Sequence, residues 1–198
     1  IDEGVTLTFS GYFINQGTVT NNGTIQVAHD LHNNGEFNHG AGSTVEYNGP
    51  DGQQIDDDLN YNNVIISGEG TKYLHHEITI NESLTLTTGL LDLNDYNIFL
   101  NEALLYEEPG SPIFSTSEYG SQYIVFSGMS VPLESINYGN LGAEILLNEI
   151  VSVIIFRLPA PTLSSNSNSS ISRKIMIVSL HGNFDEYGDL TFYYDDSE

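Results

Sequence analysis

Positive charge is what this chain most lacks. Four basic residues, Lys72, Arg157, Arg173 and Lys174, stand against 27 acidic ones, for a formal charge of −23 over 198 residues. No basic stripe is present to displace counterions from phosphates, which excludes nucleic-acid binding. An anionic membrane surface is repelled for the same reason. Such a field attracts Ca²⁺, cationic surfaces or a basic partner, with a reach of about 8 Å at physiological salt. Three of the four cations fall between 157 and 174, so Lys72 is alone in the first 156 residues. That asymmetry points to two parts.

Cysteine is absent, which rules out a disulfide scaffold and a thiolate metal site. Tryptophan is absent too, which weakens a carbohydrate-stacking role. The most apolar stretch, Ile150 to Phe156 with Ser152 inside it, is far too short to span a bilayer. The opening Ile1-Asp2-Glu3-Gly4 lacks the cationic start and apolar middle of a signal peptide, so the chain is expected to begin at a processing site or an arbitrary cut. No sustained helical period of apolar residues occurs.

Alternation is what the chain has. Val5-Leu7-Phe9, Ile25-Val27, Val45-Tyr47, Ile78-Ile80, Leu84-Leu86 and Leu91-Leu93 read as half-buried strands. Between them lie turn phrases such as Asn21-Asn22-Gly23, Asn48-Gly49-Pro50-Asp51-Gly52 and Gly68-Glu69-Gly70. The fold class expected is all-β. Apolar anchors recur at Ile25, Val45, Ile65, Leu84, Leu104 and Ile124, in steps of 20, 20, 19, 20 and 20. A fixed period of this size predicts a β-helix or solenoid, each coil stacked about 4.8 Å above the last. Asn at the corners fits, because it tolerates left-handed backbone and can hydrogen-bond along a ladder. A β-sandwich with regular strand spacing is the alternative. After residue 105 prolines become frequent, and residues 164–170 form a polar Ser/Asn stretch. The expected organisation is a solenoid-like region over residues 1–105 and a β-rich, sandwich-like module over residues 106–198.

Four stretches carry a resemblance. They are Tyr61-Asn62-Asn63-Val64-Ile65-Ile66-Ser67-Gly68, Gly70-Thr71-Lys72, Ile78-Thr79-Ile80-Asn81, and Ser83-Leu84-Thr85-Leu86-Thr87-Thr88-Gly89-Leu90-Leu91-Asp92. Together they resemble a repeat in very large exported, adhesin-like surface proteins of the Bacteroidota, which often use the type IX secretion route. Ser170-Ile171-Ser172-Arg173 and Leu190 to Glu198 resemble the block that follows such repeats, although Lys174-Ile175 stands where an aromatic is expected. The resemblance implies an extracellular or cell-surface location and a β-helical stalk with a β-rich module after it. It supplies no catalytic residue.

Candidate chemistry is sparse. Asp56, Asp57 and Asp58 with Asp51 nearby, and Asp92 with Asp95, offer oxygen ligands for Ca²⁺ without matching a known calcium loop. Calcium is therefore an optional cofactor, and none is required. His29, His32 and His39 are close in sequence, but His75 and His76 would point to opposite faces of a strand. Thr6-Leu7-Thr8, Thr18-Val19-Thr20 and Thr85-Leu86-Thr87 are offset by 12 and 67 residues, so they would not stack in a 20-residue period. Tyr187, Phe192, Tyr193 and Tyr194 crowd the C-terminal end. Val5, Leu7 and Phe9 form a candidate assembly strand, able to add to the edge of a neighbouring subunit.

The function expected is structural: an extracellular, adhesin-like stalk or filament subunit, not an enzyme, partnered by copies of itself or other domains of a larger surface protein. A host, cell or polysaccharide surface is the further partner expected. A glycan- or protein-binding module is one alternative. A polysaccharide-active β-helix enzyme is the other; it would need two acids about 5 to 10 Å apart.

Overall fold

The computed structural model describes residues 1–55, 60–116, 122–129, 134–146, 152–158, 160–161, 175–179 and 190–192. The described chain is all-β, with no α-helix and one short 3₁₀ turn at Tyr138–Asn140. Its N-terminal part is a β-solenoid of about 6 turns. The first coil holds β1 (Thr6–Phe9), β2 (Phe13–Asn15) and β3 (Thr18–Asn21). The second holds β4 (Thr24–Val27), β5 (Leu31–Asn33) and β6 (Glu36–His39), and the third β7 (Thr44–Tyr47) and β8 (Gln53–Ile55). Then come β9 (Asn60–Ile66) with β10 (Thr71–Leu74), and β11 (Ile78–Leu86) with β12 (Leu90–Asp92). The last coil has β13 (Ile98–Asn101), β14 (Leu104–Glu107) and β15 (Ile113–Ser115).

Two long walls run up the stack. One is ordered β1-β4-β7-β9-β11-β13, with β14 also on β11; the other is β2-β5-β8-β10-β12-β15. Every pairing within these coils is parallel, and β3 and β6 form a short third wall. Alternation sets which side chains enter. Ile25, Val45, Val64, Leu84 and Leu105 stand over one another and are buried. Leu31, Ile55 and Leu74 do the same on the facing wall. Each such side chain contributes about 1.5–3 kcal/mol by leaving water.

Two of the expected anchors are corrected. Ile65 pairs with Glu46 and Thr85 and faces outward, while Val64 takes the inward place. Leu104 pairs with Ser83 and is exposed, while Leu105 is buried beside Leu84. The coils differ in length by a residue or two at their corners. A slip of one residue turns a strand position to the opposite face.

Corners are built by side chain-to-backbone bonds. Asn15 Oδ1 accepts from Gly17 N at 3.0 Å, and its Nδ2 donates to Asn33 Oδ1 at 2.7 Å and to the Glu36 carbonyl at 2.8 Å. Asn21 repeats the arrangement, accepting from Gly23 N at 3.1 Å and donating to the Thr44 carbonyl at 3.1 Å. Each Asn thus closes its own turn and ties it to the next coil. Of the asparagines described, only Asn94 and Asn140 adopt positive φ. Gly68 has φ 71°, and a Cβ there would lie 2.5 Å from the Asn48 carbonyl oxygen of the coil before. Only glycine fits such a corner.

Beyond the coils, β16 (Ile124–Met129) still lies parallel on β13. The first wall therefore crosses residue 105 without a break. After it come β17 (Ser135–Asn137), β18 (Ala143–Leu146), β19 (Ser152–Arg157), β20 (Ala160–Pro161), β21 (Ile175–Ser179) and β22 (Leu190–Phe192). Strand direction reverses at β16–β19, and β21 continues antiparallel on β19. A separate antiparallel sheet is ordered β17-β18-β22.

Candidate functional site

Of the candidate calcium acids, Asp51, Asp92 and Asp95 are described, and they belong to no group placed to hold a metal ion. Asp51 is exposed in its turn. Asp92 is buried, and its carboxylate is engaged internally: Oδ1 accepts from Asn94 N at 3.0 Å and Thr116 N at 3.1 Å, and Oδ2 from the Thr116 hydroxyl at 2.7 Å. Asp95, exposed and at φ 72°, accepts from Gln122 Nε2 at 2.9 Å. Asp56, Asp57 and Asp58 lie outside the described residues. Among the described residues no group of three or more His, Cys, Asp or Glu is placed to hold a metal ion.

Acids elsewhere serve as bridges between coils. Thr8 Oγ1 donates to Gln26 Oε1 at 2.8 Å, Gln26 Nε2 to Glu46 Oε2 at 2.7 Å, and Ser67 Oγ to Glu46 Oε1 at 2.6 Å. A parallel line runs beside it. Ser83 Oγ donates to Asn63 Oδ1 at 2.6 Å, Asn63 Nδ2 to Glu82 Oε2 at 2.6 Å, and Gly42 N to Glu82 Oε1 at 3.0 Å. Bonds to a carboxylate are charge-assisted and stronger than neutral ones. These lines clamp stacked coils along the outer face.

The histidines take separate places. Tyr12, exposed, stacks against His29 at 5.3 Å and His32 at 6.4 Å between ring centres. His39 is half-buried between Phe37 and Tyr61, at 4.6 and 5.4 Å. Burial lowers its pKa to about 4. Its Nε2 is buried without a hydrogen-bond partner, as suits a neutral ring. The Thr-x-Thr phrases pair with Thr24-Ile25-Gln26, Glu36-Phe37-Asn38 and Ile65-Ile66, so they form no common row.

Two cations missed as structural groups hold the interior. Lys72 is buried, and its ammonium donates to the carbonyls of Gly49 at 2.7 Å and Glu69 at 3.0 Å. Burial lowers its pKa to about 8. Arg157, also buried, forms a two-pronged pair with Glu107, at 2.9 Å and 2.6 Å, that ties β19 to β14. Their scarcity was the one sequence signal.

Val5, Leu7 and Phe9 lie in the first described coil, at and just before β1. Leu7 stands over Ile25, yet Leu7 is 42% exposed and Val5 49%. Phe9 is half-buried against Phe13 at 4.5 Å. Elsewhere Phe99, Leu104 and Tyr106 are exposed apolar groups on β13 and β14. A surface hollow of about 260 Å³ lies between β13, β16 and β19, where Glu102 is the one carboxylate among the described lining residues. Tyr187, Tyr193 and Tyr194 are outside the described residues. No protein-family model matches the chain, and neither a curated protein nor a solved structure matches it.

Proposed function

We propose that this chain is an extracellular structural element, an adhesin-like stalk or filament subunit that works by rigidity and surface display. The observation that carries the proposal is the line Thr8–Gln26–Glu46–Ser67, which couples successive coils by side-chain hydrogen bonds outside the backbone ladder. A stack clamped inside and out resists bending, and that is the property a stalk needs. The resemblance of residues 61–92 to the repeats of exported Bacteroidota surface proteins supports the location. The antiparallel sheets after β16 support a sandwich-like module at the far end. Asp51, Asp56, Asp57, Asp58, Asp92 and Asp95 stay as the places where Ca²⁺ would act, by relieving clustered like charge. Of these, Asp92 is the weakest ligand, because its oxygens already accept three hydrogen bonds.

A second reading has its own support. Exposed Tyr12, Phe99 and Tyr106 are rings on which a sugar or a protein partner can stack, the mark of a binding module. Electron micrographs of the native material, with Ca²⁺ and with chelator, separate the two. The structural reading expects stiff rods or fibres, and a chelator effect assigns the acids to assembly. Compact isolated particles, with saturable binding on a glycan array, would replace it with the binding module.

A further inference from the structure

Three corners of the solenoid carry the dipeptide Asn-Gly: Asn22-Gly23, Asn34-Gly35 and Asn48-Gly49. In such a pair the backbone nitrogen of the glycine can attack the asparagine side-chain carbonyl, and glycine has no side chain to hinder it. Packing fixes the glycine at all three corners. A Cβ would collide with the Val5 carbonyl oxygen at Gly23, the Gly17 carbonyl oxygen at Gly35 and the Ala28 carbonyl oxygen at Gly49. The stack thus demands the residue that makes the asparagine labile.

The pairs differ in what holds the attacking nitrogen. Gly23 N donates to Asn21 Oδ1 at 3.1 Å and Gly49 N to Gln53 Oε1 at 3.0 Å, and both glycines are buried. Gly35 is exposed, as is Asn34. Among the described residues its N–H donates to no acceptor. Gly17 N, one coil below, donates to Asn15 Oδ1 at 3.0 Å, whereas Asn33 Oδ1, the corresponding oxygen beside Gly35, accepts from Asn15 Nδ2 at 2.7 Å.

We infer that Asn34 is a site of self-modification, converted in the folded chain by its neighbour Gly35 to aspartate and isoaspartate. The step needs only solvent water. Gly35 N gives up its proton and bonds to Asn34 Cγ. The Cγ–Nδ2 bond breaks, ammonia leaves, and a cyclic imide closes. Water then opens the ring at one carbonyl or the other. Opening at Cγ leaves aspartate. Opening at the main-chain carbonyl routes the backbone through the side chain and lengthens it by a methylene. Either product adds a negative charge near Glu36. The longer one also strains the bonds that fasten this corner, Asn34 N to the Asn15 carbonyl and Glu36 N to the Gly17 carbonyl, both 2.8 Å.

Mass-spectrometric peptide mapping of the full folded chain, sampled during incubation in mildly alkaline buffer, tests this. Asn34 is expected to convert first. Asn22 and Asn48 should be slower by about tenfold or more, because attack there must first break the hydrogen bond that holds the glycine nitrogen. The same incubation in denaturant, where the fold holds none of the three, should bring the rates together. Asn34→Gln, at an exposed position, should remove the early product and leave the slow ones. Equal rates in the folded chain overturn the inference. So does conversion of Asn22 or Asn48 ahead of Asn34, or an Asn34 that stays intact in the folded chain while it converts in denaturant.

Discussion

Lys72 and His39 show how single residues report on the interior. In the unfolded chain the Lys72 amine keeps its proton up to 10.5, and burial lowers this to about 8 in the fold. Between those values the unfolded state binds more protons, so stability rises with pH across that window. The denaturation midpoint of the native chain should therefore climb relative to Lys72→Met between pH 8 and 10; a constant difference would mean that the amine is solvated. His39 works on the acid side. Its native pKa is about 4 against 6.5 unfolded, so its neutral ring contributes stability above 6.5 that is lost as pH falls toward 4. Replacing it by His39→Phe, which keeps a ring between Phe37 and Tyr61, should flatten that part of the pH profile. Neither residue was legible as buried. The partners of Lys72 are backbone oxygens of Gly49 and Glu69, and carbonyls leave no mark in a sequence. The hydrogen bonds of Asp92 were hidden for a similar reason: its partner Thr116 is 24 positions away.

At the scale of elements, the strands were legible and their register only in part. Alternation located β4, β7 and the two ends of β11, because period two is written directly in Ile25-Val27, Val45-Tyr47 and Leu84-Leu86. Corner length is not written in that way. Asn, Gly and Ser fill turns of several lengths, so an average step of 20 placed Leu104 inside, where the structure has Leu105. The two positions give a sharp comparison. Leu105→Ala should cost about 2–5 kcal/mol through the cavity it leaves. Leu104→Ala should stay within about 0.5 kcal/mol, as exposed positions do. Equilibrium unfolding of both variants measures this, and the opposite ranking would restore the simpler period.

For the whole molecule, the question is how a chain of charge −23 stays folded. Glu46 and Glu82 suggest the answer: each accepts hydrogen bonds from groups on other coils. The remaining repulsion is long-range and screened by salt. The thermal midpoint should accordingly rise as NaCl is raised from low ionic strength to physiological, and a fall would show that specific ion pairs dominate. The N-terminal stack was foreseeable as a solenoid from its repeats. The reversal of direction after β16 was legible only as a change in composition, since strand polarity has no sequence signature. One measurement tests the parallel, in-register stack most directly. Thr24 and Thr44 are outward neighbours on β4 and β7, paired Cα to Cα. Parallel strands lie about 4.8 Å apart, within the roughly 4.4–6.8 Å span a disulfide bridges. In a chain without other cysteines, a Thr24→Cys/Thr44→Cys variant should close an intramolecular disulfide in the folded monomer under mild oxidation. A pair that stays reduced would contradict the stack, and with it the stalk.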